Sequence, residues 1–119
     1  KIALLAQRLP NLQQHLFRLM SRDIGTASLF ASDHSADERM AAFLISLSRR
    51  LAARGFSPRR FQLTMSRTDI ANYLRQAPET VSRVLRRFER DGLLRIKQRD
   101  VEITDPPRLE AIALSVLRS

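Results

Sequence analysis

The chain has 119 residues, 44% of them apolar, which is enough for one modest core with appendages; with no cysteine, it cannot form disulfides, thiolate metal sites or an iron–sulfur ligand set of its own. Lys and Arg number 21 against 12 acids, a formal charge of +9 that favours a polyanionic partner, either nucleic acid or an anionic membrane. No apolar run approaches the ~20 residues that span a bilayer and nothing resembles a signal peptide, so no membrane partner is expected, and the lack of thiols fits a reducing cytoplasm.

The chain begins with Lys1 rather than Met, which suggests a fragment or a processed product. Residues 1–9 are apolar-rich, and Leu9 precedes Pro10, a position that disfavours helical geometry, so a break is expected there with a new helix starting at the proline. That helix carries two apolar rows. Leu12, Leu16 and Leu19 form one; Phe17, Met20, Ile24, Ala27 and Ala31 form the other, with the 3, 4, 3, 4 spacing of a coiled-coil seam interrupted at Gly25. The seam predicts a homodimer through Phe17, Met20, Ile24 and Ala27, and the alternative is that both rows bury against the chain's own core. His15 falls on a polar helical stretch and His34 in a loop; both read as surface residues, and no metal ligand set is expected.

Ser35-Ala36-Asp37-Glu38 fits a capping box that starts a second helix, with Met40, Phe43, Leu44, Leu47 and Leu51 as its core row and Gly55 placed to end it. Asp37 and Glu38 suit the helix dipole better than acid–base catalysis. A basic loop with Ser57-Pro58 follows, then a strand over residues 61–65. Ser66-Arg67-Thr68-Asp69 opens a short helix with Ile70, Tyr73 and Leu74. After a tight turn a helix begins at Pro78 and is terminated by Gly92, and strands over residues 94–97 and 101–104 make a hairpin around Gln98-Arg99-Asp100. Pro106-Pro107 breaks the chain before a last amphipathic helix with Leu109, Ile112, Ala113, Val116 and Leu117. The fold class is therefore mainly α with a small β wing: a winged helix-turn-helix DNA-binding domain over residues 34–119, preceded by a long dimerisation helix within residues 1–33.

On the helix beginning at Pro78, Val81, Val84, Leu85 and Phe88 share one face, while Glu79, Ser82, Arg83, Arg86 and Arg90 share another. The mixture on the second face is informative. Arg forms bidentate pairs with guanine, Glu accepts from the cytosine amino group, and Ser serves either role. A purely electrostatic binder would have little use for Glu79, because a carboxylate near phosphates is repulsive. Glu79, Ser82 and Arg83 are therefore the base-reading candidates. Arg67, Thr80, Arg86, Arg87, Arg90 and Lys97 suit phosphate contacts, which set affinity and salt dependence.

The segment ERMAAFLISLSRRLAARGFSPRRFQLTMSRTDIANYL, followed by ETVSRVLRRFERDGLL, closely resembles the Crp/Fnr superfamily of bacterial transcription regulators, in particular its FNR-type, anaerobic-response branch; PNLQQHLFRLMSRDI resembles that branch's dimerisation helix. The resemblance implies that Glu79 and Arg83 read the central G·C pair of a TTGAT half-site and that Ser82 discriminates at a neighbouring T·A pair. It implies a homodimer on TTGAT-N4-ATCAA, with half-sites about one helical turn apart, and an activator's RNA polymerase-facing loop at Phe56, Ser57, Pro58 and Arg59. Family members also carry an N-terminal β-roll sensor, which in FNR proper holds an iron–sulfur cluster and in FixK-like regulators does not; no cofactor is expected on this chain. In the turn, Arg75-Gln76-Ala77-Pro78 stands where the family has Gly-Leu-Thr-Val. Arg75 replaces a residue suited to left-handed geometry, Gln76 an apolar one, and Ala77 is a poor N-cap.

An enzyme fails on inventory, lacking convergent histidines and a glycine-rich phosphate loop. A winged helix used only for protein interaction is the more serious rival, and the Glu79, Ser82, Arg83 triplet is what distinguishes the two.

Overall fold

A serine and a glutamate three positions apart open the first helix. In the computed structural model, which describes residues 35–117 and the helical positions Gln14, His15 and Arg18, Ser35 Oγ accepts from the Glu38 N–H at 3.1 Å and Glu38 Oε1 accepts from the Ser35 N–H at 2.8 Å. Helix α1 then spans Ala36–Ala53. Its predicted row of Met40, Phe43, Leu44, Leu47 and Leu51 is buried, and Ala41, Ala42 and Ile45 are buried with it, so α1 is enclosed on more than one side and forms the centre of the core. It stops because Gly55 adopts φ +85°: the Gly55 N–H donates to the Ala52 carbonyl and the Phe56 N–H to that of Leu51, the two bonds of a Schellman motif. Gln14, His15 and Arg18 are exposed. The break at Pro10, the Leu12, Leu16, Leu19 row, the seam of Phe17, Met20, Ile24, Ala27 and Ala31, His34 and the boundary at residue 33 lie outside the described residues.

The chain continues with β1 (Arg60–Gln62), α2 (Arg67–Leu74), α3 (Pro78–Arg90), β2 (Leu94–Lys97), β3 (Asp100–Ile103) and α4 (Pro106–Leu117). Helix α1 packs against α4 and α3, and α3 in turn packs against α2 and β2. The sheet is antiparallel in the order β1-β3-β2, with Phe61 and Ile96 both opposite Val101. Three details depart from the sequence reading. The first strand ends at Gln62, because the Leu63 N–H turns to the Arg99 carbonyl at 2.8 Å and Ser66 already caps α2. Asp100 pairs with Lys97, so β3 begins one residue early and the wing loop is Gln98-Arg99 alone. Its φ is positive at Gln98 (+57°) and not at Arg99, the pattern of a type II′ turn. Pro106 and Pro107 begin α4 rather than precede it, since a first turn needs no amide hydrogens from them, and Asp105 accepts from the Arg108 N–H at 3.3 Å. Among the described residues no helix is long and apolar enough to cross a membrane.

Tyr73 of α2 sits in this core with its ring 5.8 Å from that of Phe43. Burial pushes its phenol up to about 12 from 10.0, against a smaller opposing pull from the Arg50 charge. The folded state therefore favours the neutral phenol, and this contribution to stability is complete below pH 10 and is lost as pH rises towards 12. Tyr73 is the chain's one tyrosine. Absorbance titration is expected to place its ionisation near pH 12 when folded and near 10 in urea; equal midpoints would contradict the burial.

Candidate nucleic-acid interface

Helix α2 starts where Ser66 Oγ accepts from the Asp69 N–H at 3.0 Å and ends at Arg75, whose φ of 56° and ψ of 50° are left-handed. The Arg75 N–H donates to Asn72 and the Gln76 N–H to Ala71. The same pair of bonds closes α3, where the Gly92 N–H donates to Glu89 and the Leu93 N–H to Phe88 with Gly92 at φ +79°. Of the three Schellman ends among the described residues, two place glycine at the left-handed residue and the helix-turn-helix corner places arginine there. Left-handed geometry costs a side-chain-bearing residue roughly 1–2 kcal/mol, part of which glycine gives back as unfolded-chain entropy. Arg75→Gly is therefore expected to stabilise the fold by about 1 kcal/mol, read as a higher urea midpoint at unchanged slope; a lower midpoint would mean that the arginine's side-chain contacts dominate.

Pro78 opens α3, and Ala77 makes no side-chain cap bond, leaving the acidic Glu79 to complement the helix start. The faces divide as the periodicity requires. Val81, Val84, Leu85 and Phe88 are buried, and Glu79, Arg83, Arg86 and Arg90 are exposed. Arg83 Nη2 donates to Thr80 Oγ1 at 3.2 Å, a bond along one helix turn that orders the guanidinium before any ligand arrives. Among the described residues neither Arg83 nor Arg86 has an acidic partner. Ser82 is half-buried on the flank turned to the wing, where it lines a cavity of about 160 Å³ with Arg67, Leu85, Arg86, Glu89 and Ile96.

The opposite flank corrects one expectation. Arg87, seven positions after Thr80 and so on the same side of the helix, gives both oxygens of Asp37 a hydrogen bond, at 2.6 and 2.8 Å. It links α3 to the first turn of α1, so its charge is shared with Asp37 and not free as the sequence reading assumed. The same turn of α1 holds the helix-turn-helix corner: Arg39 Nη1 donates to the Leu74 carbonyl at 3.2 Å, and Gln76 Nε2 donates to that of Ala36 at 3.5 Å. That contact gives Gln76 a task in a position where an apolar residue was the expectation, although its buried Oε1 has no hydrogen-bond partner among the described residues.

Lys97 is exposed at the end of β2, on the sheet face opposite Ile96 and away from α3. The basic wing residue that meets the start of α2 is Arg99, which the sequence reading did not single out. It shares a cavity of about 230 Å³ with Leu63, Met65, Ser66 and Arg67. The signal was present: a basic residue at the tip of a hairpin that follows a basic helix.

The loop at Phe56, Ser57, Pro58 and Arg59 is a fixed platform. Ser57 Oγ accepts from the N–H groups of Arg59 (3.2 Å) and Arg60 (3.1 Å), and the Pro58 carbonyl accepts from Ser48 Oγ at 2.6 Å. Arg59 donates to the carbonyls of Ile103 and Thr104 at 3.3 and 3.5 Å. Phe56 packs against the core, leaving Ser57, Pro58 and Arg59 as the exposed part of this group.

Comparison with known proteins gives a consistent result. Residues 38–112 match the Crp-like helix-turn-helix domain. The chain is 47% identical over 112 residues to the fumarate and nitrate reduction regulatory protein of Salmonella typhimurium, covering 92% of this chain and 45% of that protein. It is 48% identical to the transcriptional activator protein anr of Pseudomonas aeruginosa, covering 92% and 46%. The chain thus spans under half the length of these relatives. FixK2 from Bradyrhizobium japonicum superposes with a TM-score of 0.59 at 36% identity, over 68% of this chain and 39% of that one. The catabolite activator protein of Thermus thermophilus does so at 0.53 and 29%, over 97% and 45%.

Proposed function

Since the chain belongs to the Crp/Fnr family of DNA-binding transcription regulators, we propose that it binds as a homodimer to an inverted repeat of the type TTGAT-N4-ATCAA, each copy laying α3 in a major groove. In this reading Glu79 and Arg83 recognise the central G·C pair of the half-site, and Ser82 discriminates at the adjoining T·A pair. Arg67, Arg86, Arg90 and, on flanking duplex, Lys97 hold phosphates. Thr80 positions Arg83 rather than meeting a phosphate itself. The observation that supports this most is the exposed face of Glu79, Arg83, Arg86 and Arg90, with the Arg83 guanidinium already steered by Thr80 and in no ion pair among the described residues.

Dimerisation through Phe17, Met20, Ile24 and Ala27 would put two such helices on one side of the duplex. The names of the relatives, a regulator of fumarate and nitrate reduction and a transcriptional activator, support a cytoplasmic activator of anaerobic response. Ser57, Pro58 and Arg59, presented by the rigid loop, would then face RNA polymerase. Changing the spacing between half-sites tests the arrangement. Adding about five base pairs turns one half-site to the far side of the helix, and affinity is expected to fall to that of a single half-site. Undiminished binding to the lengthened site would contradict the two-fold reading.

A further inference from the structure

The first turn of α1 grips the helix-turn-helix in three different places. The Ala36 carbonyl accepts from Gln76 Nε2 at 3.5 Å, just before α3 opens at Pro78. Arg39 Nη1 donates to the Leu74 carbonyl at 3.2 Å, at the end of α2. Both carboxylate oxygens of Asp37 accept from Arg87 Nη1, at 2.6 and 2.8 Å, in the last third of α3. One turn of α1, stiffened by the Ser35–Glu38 capping box, thus holds α3 near its start and again near its end. The buried row of Val81, Val84, Leu85 and Phe88 docks α3 on the core, but apolar contact is non-directional and leaves the helix's heading loosely set. The half-buried ion pair adds little stability and supplies direction instead. Without it α3 keeps its anchor at Gln76 and can swing about that end. Arg87 lies nine residues after Pro78, about 13 Å along the axis, so a swing of about 10° moves it by roughly 2 Å, over half of the ~3.4 Å base-pair rise.

We propose that Asp37 is a positioning residue for DNA recognition: acting through Arg87, it fixes the direction of α3 relative to the start of α1, and with it the separation of half-sites that two joined copies accept. The inference rests on the two-fold DNA-binding reading above. The pairing proposed there runs through residues before Ser35, so the chain carries it into the domain at this same turn. A single copy can rotate as a body to seat its α3 in a groove. Two joined copies cannot, and any change in the heading of α3 appears in both.

Asp37→Ala removes the anchor without altering the exposed face of α3, and Asp37→Glu keeps a carboxylate within reach of a flexible arginine. Both variants and the wild-type chain are titrated onto duplexes with one TTGAT half-site and onto duplexes with two half-sites about three, four or five base pairs apart. Wild type and Asp37→Glu are expected to favour the four-base-pair spacing by roughly tenfold. Asp37→Ala is expected to lose roughly five- to tenfold there, to rank the three spacings nearly alike, and to bind the single half-site within about twofold of wild type. An unchanged ranking in Asp37→Ala, or an equal loss on the single half-site, would overturn the inference. The heading of α3 is also measured without DNA. The chain has no cysteine, so spin labels at Ala52→Cys and Glu89→Cys, exposed on α1 and α3, report that heading against no background. The distance distribution is expected to shift or broaden in Asp37→Ala and to stay as in the parent in Asp37→Glu; one distribution common to all three would overturn the proposal. A wild-type chain that ranks no spacing above another, with the label distances responding as expected, counts against the two-fold reading and leaves Asp37 as the residue that sets the direction of α3.

Discussion

Arg83→Ala is expected to weaken binding to a TTGAT-bearing duplex by about 1–3 kcal/mol and to relax the choice of base at the central G·C pair. Arg83 is exposed at the middle of the free face of α3, makes no ion pair among the described residues, and is oriented by the 3.2 Å bond to Thr80 Oγ1. Its two parallel N–H groups can meet guanine O6 and N7 together, a geometry that alanine loses and that lysine, a point charge on a flexible stem, does not restore. Arg83→Lys is therefore expected to keep general affinity and lose the preference. Arg67→Ala should instead weaken every duplex alike. Measured on matched and G·C-substituted duplexes, equal losses for Arg83→Ala on both would contradict its role as a base reader.

Phe88→Ala is expected to destabilise the fold by about 3–5 kcal/mol, a large part of the 5–15 kcal/mol that holds a domain together. Phe88 is 1% exposed and among the largest fully enclosed side chains of the molecule. It lies on the buried face of α3, so its loss loosens that helix from the core at whose centre α1 sits. The Arg87–Asp37 pair joins the same two helices, but its side chains are 38% and 31% exposed, and a pair so open to solvent contributes only about 0–1 kcal/mol. Urea unfolding of the two alanine variants separates the contributions: a Phe88→Ala loss below that of Arg87→Ala would mean that the ion pair, not the ring, docks the helix.

What the amino-acid order made legible depended on how local the determining contacts are. The start and end of α1 were readable because Ser35, Glu38 and Gly55 act within a few residues of themselves, and the two faces of α3 because a 3.6-residue period assigns them without any knowledge of neighbours. Strand β1 was read too long because its three residues are defined by pairing with β3, about forty positions away, rather than by their own pattern. The pairing of Arg87 was missed because Asp37, fifty positions earlier, was read only as a helix-start acid. Arg99 was passed over for the same reason: its closeness to Arg67 exists only once the wing folds back on the start of α2. The left-handed turn at Arg75 was legible only through the family resemblance, and the φ of 56° agrees with that expectation of a residue suited to left-handed geometry.

The central claim is that the exposed side of α3 distinguishes base pairs inside a major groove, and competition binding tests it most directly. Affinity for the TTGAT-N4-ATCAA duplex and for a scrambled duplex of equal length and composition is measured from low to physiological salt. Base readout predicts that both affinities fall steeply with salt while the ratio between them persists. A ratio near one at every salt concentration would contradict the claim and leave the winged helix as a module for some other partner.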